Sequence, residues 1–248
     1  MRDSNDWAGI RDRSRGVVYI ATGAMSVGAA RASAESVRRT NPKLPLALFT
    51  DSDHLAVPSV RECFDGAALV SDPHRRSKVD YLAATPFERT LYLDADTRVY
   101  VGLDPIFALF DRFDIALAHA HARNRASTNA TWRTEIPACF PQFNGGVIAY
   151  RSTPAVLAFM QRWREAFHVA GVRKDQVTLR ELLWESDLRI ATLPPEYNVR
   201  YLKYLWLWKR NEASLKILHH ARFRAAALGA RLVDRVASPF ASRGGGPS

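Results

Sequence analysis

Two aspartates set the chemistry open to this sequence. Asp94 and Asp96 stand in TLYLDADTRV, residues 90–99, directly after the apolar run Leu91, Tyr92 and Leu93. That run, with Thr90 in front, reads as a buried β-strand. Side chains two apart on an extended chain project to one side. Both carboxylates therefore leave the strand end together, with Ala95 between them. Two like charges held close repel and are costly to desolvate. A cation between them removes that cost, and hard divalent ions prefer oxygen ligands. The plainer alternative is a solvated Asp-rich turn.

Strands and helices alternate on either side of this pair. Residues 17–21 (VVYIA) form a short apolar run, and 25–40 carry Val27, Ala30, Ala34 and Val37 at helical spacing, stopped by Asn41-Pro42. Residues 46–50 and 67–70 read as further strands. Strand, helix, strand at this spacing is a βαβ unit, which places ligands beyond the carboxyl ends of its strands. Thr22, Thr50 and Asp51 sit at such ends, and no GxGxxG fingerprint marks a dinucleotide site. A helical stretch over 76–85 brings Lys78 up to the central strand. Asp104-Pro105 opens a helix with Ile106, Leu109, Phe110 and Phe113 inward, and 115–118 is a strand. Residues 121–142 are polar and aperiodic, as a functional flap would be.

Phe143-Asn144-Gly145-Gly146 feeds a strand at 147–150, where paired glycines permit close approach or positive φ. Thr153-Pro154 caps a helix with Val156, Met160, Trp163 and Phe167 along one stripe. Lys174-Asp175-Gln176 opens the next, with Leu179, Leu182 and Leu183 inward, and 190–193 is a late strand. Residues 201–210 are aromatic and basic, and 217–220 end in His219-His220. A basic helix is expected over 221–237, with Phe223, Leu228, Leu232 and Val236 on one face. These elements predict an α/β domain: a mixed, mostly parallel sheet with helices on both faces. It would span 16–220, after a flexible N-terminus at 1–15 and before a disordered tail at 238–248.

With 248 residues, 47% of them apolar, the chain is long enough for one sizeable core. A net charge of +10 suits an anionic ligand, an anionic membrane surface or nucleic acid. No helix-turn-helix, zinc-finger or RNA-binding signature is present, so no nucleic-acid partner is expected. Cys63 and Cys139 fit neither a disulfide framework nor a structural zinc site. The first 16 residues contain no apolar run to serve as a signal peptide, and no window reaches the roughly 18 apolar residues of a membrane span. A cytoplasmic location is expected; the basic, aromatic C-terminus suits either peripheral contact with an anionic membrane face or packing of Trp206 and Trp208 on the domain with its basic residues solvated.

Several pieces occur in a family-like order. They are VYIAT at 18–22, Lys78, LYLDAD ending in Asp94 and Asp96, FNGGV at 143–147, KDQ at 174–176, EYN at 196–198 and ILH carrying His219. Together they resemble the GT-A nucleotide-sugar glycosyltransferases, nearest to family 8, the glycogenin and bacterial lipopolysaccharide glycosyltransferase group. The resemblance implies retaining transfer of a hexose from a UDP-sugar donor, with Mn²⁺ or Mg²⁺, to a carbohydrate, lipid-linked or protein acceptor. It implies that Asp94, Asp96 and His219 hold the metal, with His220 the alternative imidazole, and that Asp94 also approaches the ribose. Lys78, Ala95 and Gly145 would lie along the nucleotide sugar, and Ala21, Thr22 and Thr50-Asp51 would begin its base and sugar contacts. Asn144, Asp175 and Gln176 would line the sugar pocket. Gln176 would face the anomeric carbon, and a neutral amide there is a poor nucleophile, which suits front-face transfer.

One departure stands out. The family's late histidine is followed by a glycine and a Lys-Pro-Trp element that grips the diphosphate. Here His220-Ala221-Arg222-Phe223-Arg224 follows, and Arg222 or Arg224 would supply the cation. A haloacid-dehalogenase-like phosphatase also uses strand plus Asp-x-Asp, but wants a small hydroxyl residue where Arg98 stands. A non-catalytic sugar-nucleotide-binding protein is the third reading, against which Asp94, Asp96, Asn144, Asp175 and Gln176 are all intact.

Overall fold

Successive residues of the first strand, β1 (Arg15–Ile20), enter different apolar clusters: Val17 and Tyr19 join one, Val18 the other. That alternation is what a sheet covered on both faces requires. The computed structural model describes residues 7–123, 125–126, 130–209, 212–224 and 227–241. After β1 come α1 (Ala24–Thr40), β2 (Leu46–Thr50), the short α2 (Ser52–Leu55) and α3 (Pro58–Arg61), β3 (Gly66–Leu69), α4 (Lys78–Tyr81) and β4 (Arg89–Leu93). Then follow β5 (Thr97–Val99), α5 (Asp104–Ala108), β6 (Ile115–His119), β7 (Phe143–Arg151), α6 (Pro154–Ala170) and α7 (Asp175–Glu185). The chain continues through β8 (Ile190–Leu193), α8 (Lys203–Leu207), β9 (Ile217–His219) and α9 (Ala227–Ala237).

Seven strands form one sheet in the order β3-β2-β1-β4-β7-β6-β8, and β5 pairs with β9 in a separate antiparallel ribbon. Within the large sheet only β7 runs against its neighbours. This reversal matters for the site. A reversed strand begins where its neighbours end, so the Asn144-Gly145-Gly146 start of β7 lies at the carboxyl end of β4. The Asp94 N–H donates to the Gly146 carbonyl at 2.8 Å.

The expected mixed, mostly parallel sheet with helices on both faces is therefore present. Val27, Ala30, Ala34 and Val37 of α1 all pack on one face, with Ile106 and Phe107 of α5. Val79, Met160, Trp163 and Leu182 of α4, α6 and α7 pack on the other. Burying side chains of this size contributes about 1.5–3 kcal/mol each. Trp163 also orients the site, because its indole N–H donates to the Asp175 carbonyl at 3.1 Å. Thr153 caps α6 by accepting from the Val156 N–H, and Gly171, at φ 58°, ends it in the left-handed conformation.

Four local expectations change. Residues 7–14 are not a free arm: Ile10 is buried, and the Trp7 ring packs edge-on against Phe49 at 5.3 Å. Residues 1–6, the rest of the expected flexible N-terminus, lie outside the described residues, as do 242–248 of the expected tail. Within 238–241 the chain is packed, with Phe240 against Trp206 at 5.1 Å. The C-terminal helix starts at Ala227 rather than 221, after a 3₁₀ turn at Ala221–Arg224. Its inward face is consequently Val233 and Ala237, while Leu232 is 56% exposed; the side chain of Leu228 lies outside the description. Finally, Asp94-Ala95-Asp96 is a tight turn between β4 and β5 and not a continued strand. The Thr97 hydroxyl pins it by donating to the Asp94 carbonyl at 2.8 Å.

Candidate active site

The turn at the end of β4 brings three ligand-bearing side chains together. Oxygens of Asp94 and Asp96 and a ring nitrogen of His219 all lie within 4.8 Å of one another. β4 and β5 present the two aspartates, and β9 presents His219 by pairing it directly with Thr97. His220, the alternative ligand, is not in the cluster; its Nδ1 accepts the Arg222 N–H instead.

The His219 ring is fixed by a short relay. The Gly146 N–H and the Asn198 side-chain amide both donate to Asn144 Oδ1, at 3.0 and 2.9 Å. Asn198 is thereby turned so that its Oδ1 accepts the His219 Nδ1–H at 3.0 Å. The Nε2 lone pair then faces Asp94 Oδ2 at 3.4 Å and Asp96 Oδ1 at 3.3 Å. Three electron-pair donors converging in a buried corner suit a divalent cation, and an orienting partner on the second ring nitrogen is what histidine ligands use. Gly146 is part of the same fit, because a Cβ there would overlap the His219 ring.

The protonation states agree with this donor set. Burial is the largest influence on Asp94 and raises its pKa, but Lys78 and His219 outweigh it and leave the carboxyl below its usual value. Asp96 is likewise held low, with burial opposed by His219 and Arg224. Burial pushes His219 down, toward the neutral form that ligates.

A cleft of about 370 Å³ opens beside Asp94. Ala21, Thr22, Lys78, Asp94 and Ala95 line it as expected, and Arg224 completes it from the C-terminal side. Lys78 is buried, with its Nζ 2.7 Å from the Gly145 carbonyl, 3.2 Å from Asp175 Oδ2 and 3.4 Å from Asp94 Oδ1. Burial would lower its pKa, yet Asp175 and Asp94 outweigh that and raise it, so it stays charged. Asp175 is buried at the start of α7 with half-buried Gln176 next to it. Arg224, rather than Arg222, reaches the centre, donating from Nη2 to Asp96 Oδ1 at 3.0 Å.

Asp51 is placed differently from the other expected contacts. Its carboxylate accepts the Gly23 N–H at 2.6 Å and pairs with His54 Nδ1 at 2.5 Å, so it organises the turn after β1 and is not among the cleft-lining side chains. Thr50 is fully buried.

Sequence reasoning missed three contributors. The Tyr92 hydroxyl donates to Asp94 Oδ1 at 2.6 Å, and its place two residues before Asp94 on a strand was the available signal. Arg76 brings its Nε to 3.3 Å from Asp175 Oδ1. The loop carrying Arg76 is braced by Asp80, whose carboxylate takes His74 Nε2 at 2.5 Å and His168 Nε2 at 2.6 Å. The Arg76 N–H donates to His74 Nδ1, which leaves the His74 proton on Nε2, toward Asp80. This His-Asp-His group is thus a hydrogen-bonded brace between the loop and α6.

The fold and this site define a GT-A nucleotide-sugar transferase. The family model for nucleotide-diphospho-sugar transferases matches residues 90–224, more than half of the chain. The chain belongs to the nucleotide-diphospho-sugar transferase family. No curated protein sequence matches it. Among solved structures it is similar to the galactosyltransferase LgtC in complex with donor and acceptor sugar analogues, with a TM-score of 0.58 and 14% identity, covering 92% of this chain and 97% of that one. Mouse xyloside xylosyltransferase 1 aligns with a TM-score of 0.54 and 15% identity over 83% of this chain and 97% of its own. The glycosyltransferase GlyE of Streptococcus pneumoniae TIGR4 aligns with a TM-score of 0.57 and 18% identity, over 84% of this chain and 54% of that one. The phosphatase alternative finds no support in the site, since Arg98 is buried with its guanidinium 4.3 Å from the Phe223 ring centre.

Proposed function

We propose that the protein is a metal-dependent hexosyltransferase that uses a UDP-sugar donor, with retention of configuration. The observation that carries this reading is the convergence of Asp94, Asp96 and His219 at the edge of a cleft lined by Lys78 and Arg224. A bound Mn²⁺ or Mg²⁺ would supply Lewis-acid stabilisation of the departing diphosphate. Asp94, Asp96 and His219 would hold it, with Asn198 fixing the imidazole.

The chain's own residues have these roles. Lys78 and Arg224 place positive charge where the diphosphate leaves, and preorganised charge of this kind lowers the barrier most in a partly desolvated site. Asp175, with Arg76 and Lys78 against it, accepts hydroxyl hydrogens of the donor sugar. Gln176 and Asn144 complete the sugar pocket. Gln176 carries no negative charge to attack the anomeric carbon, so the acceptor approaches on the leaving-group face and gives its proton to a phosphate oxygen. Ala21, Thr22 and Ala95 line the nucleotide side of the cleft, and Gly145 admits Lys78.

No helix among the described residues is long and apolar enough to cross a membrane. Trp206 and Leu207, 70% and 68% exposed, sit beside Lys203 and Lys209 on and after α8. We assign this patch to peripheral contact with an anionic membrane face on the cytoplasmic side, where lipid-linked acceptors sit.

The test is a panel of nucleotide sugars assayed for release of nucleoside diphosphate with and without Mn²⁺, alongside Asp96→Asn. Metal-dependent release from a UDP-hexose, lost in the variant while its circular dichroism is unchanged, is the expected result. Equal turnover by Asp96→Asn, or none of the panel turned over, refutes the reading.

A further inference from the structure

Arg224 lines two cavities. One is the nucleotide cleft; the other, about 700 Å³, lies between α1, β5 and α9. Arg39, Arg98 and Arg231 line the second and not the first. The rest of its wall includes the short side chains of Ala24, Ala29 and Ala32 from α1 and the ring of Phe223.

Arg98 is the unusual group here. It is only 6% exposed. A buried guanidinium ordinarily has a carboxylate against it, and among the described residues Arg98 forms no ion pair. Its Nη1 donates to the adjacent Thr97 carbonyl at 2.6 Å, and the guanidinium carbon lies 4.3 Å from the Phe223 ring centre. One peptide carbonyl and one ring face leave its charge and most of its five N–H donors unmatched. The carboxylates at the cavity wall, Glu35 and Asp234, do not make up the difference. Glu35 is exposed on α1. Asp234 Oδ1 accepts the Tyr100 hydroxyl at 2.5 Å, and its charge acts on Arg98 from beyond ion-pair distance. Burial therefore weighs most on Arg98 and holds its pKa below the usual value. Four guanidinium groups against two carboxylates leave the cavity positive.

A tetrahedral anion with several oxygens answers this donor set, because a guanidinium fork pairs with phosphate through two parallel bonds. A phosphate monoester carries close to two negative charges at neutral pH, enough to engage more than one of the four arginines. The small-residue wall of α1 leaves space for the group to which the phosphate is esterified. We infer that this cavity binds a phosphate monoester, anchored on Arg98 at its floor with Arg39, Arg224 and Arg231 around it. The assignment is independent of the transferase reading, since three of these four arginines lie outside the nucleotide cleft.

Glycerol 3-phosphate is the soluble probe, with glycerol and sodium chloride at equal ionic strength as controls. Phosphatidylcholine vesicles with and without phosphatidic acid present the same group on a lipid. Calorimetry and vesicle flotation are run on the full chain in phosphate-free buffer, for wild type, Arg98→Met and the double variant Arg39→Gln/Arg231→Gln. The double variant alters exposed side chains only, so it decides the question should circular dichroism show that Arg98→Met does not fold. UDP with Mn²⁺, titrated on the same samples, reports on the nucleotide cleft. Glycerol 3-phosphate, or vesicles holding phosphatidic acid, should bind where the controls do not. That affinity should fall by about tenfold or more in both variants, with UDP affinity retained. Binding of the soluble probe alone assigns the site to a free phosphate ester, and binding of the vesicles alone to a lipid headgroup. The proposal is overturned if neither probe binds, if folded Arg98→Met or the double variant binds as the wild type does, or if UDP affinity falls equally, which would put the phosphate in the nucleotide cleft instead.

Discussion

The imidazole of His219 occupies the space that a side chain on Gly146 would need, so strand β7 and strand β9 fit only because residue 146 has no Cβ. Its neighbour is less constrained. A Cβ on Gly145 would meet Lys78 Nζ at 3.1 Å and Asp175 Oδ2 at 3.2 Å, both at the ends of side chains. Gly146→Ala should therefore push His219 off the aspartates and lower Mn²⁺ affinity by about 10–100-fold, the usual effect of disturbing a ligand's support. Gly145→Ala should cost clearly less. Calorimetric titration of Mn²⁺ without nucleotide, with circular dichroism for the fold, separates the two; equal affinities in both variants would contradict the steric argument.

On the proposed function, Arg224 and a bound ion would compete for one oxygen. Asp96 Oδ1 accepts from Arg224 at 3.0 Å and faces His219 Nε2 at 3.3 Å. Arg224→Ala should tighten Mn²⁺ binding in the absence of nucleotide and weaken UDP binding in its presence by about tenfold, the scale of one charge-assisted contact. The opposite signs are the diagnostic. A loss of both affinities would make Arg224 a structural support only.

Glu181 ties the long loop to α7. Its buried carboxylate accepts the backbone N–H groups of Trp132, Arg133 and Thr134. Arg180 next to it donates to the carbonyls of Pro137 and Phe140 at 3.0 and 2.8 Å. Glu181→Ala strands three donors and should destabilise the protein by about 1–3 kcal/mol or more. Urea titration measures the loss, and trypsin should cleave after Arg133 sooner than in the wild type. An unchanged cleavage rate would show that other contacts hold the loop.

Stability should fall as pH is lowered from about 7 to about 4. His121 and His219 are both held below the ordinary imidazole value, chiefly by burial, and His121 titrates at about 4. Unfolded histidines protonate near pH 6.5. Between those values the unfolded chain binds more protons, so stability rises with pH across that window and is lost on acidification. Asp94 and Asp96, held low in the fold, add a loss of the same sign below about pH 4. The groups facing His121 include Arg200 and Arg123, whose positive charge strengthens its shift. His121→Phe should flatten the decline in melting temperature between pH 6.5 and 4.5. An equally steep decline in the variant would assign the dependence to other groups.

Local periodicity carried most of the fold. The α1 stripe is buried at each of the four positions its spacing marks, and strands 46–50 and 190–193 have the expected bounds. The resemblance also pointed to Asp94, Asp96 and His219 as one group, and the structure brings the three together, though for a different physical reason than the one first offered for the aspartates. The aspartates converge through a turn and not through strand alternation. Long-range packing was not readable. Nothing local distinguishes Arg224 from Arg222, and Glu181 looks like any helix-face glutamate until the loop folds over it. The inward face of α9 was misjudged because a turn at 221–224 shifts the start of the helix, which moves Val233 inward and Leu232 out.

The pairing of β5 with β9 has a consequence for synthesis. Strands β1 to β4 can align, and Asp94 and Asp96 can take their places, while the ribosome is still far from residue 219. His219 joins Asp94 and Asp96 only once β9 emerges and pairs with Thr97. A chain of this protein ended by a stop codon before position 217 would carry all seven strands of the large sheet and still lack the imidazole that faces Asp94 and Asp96.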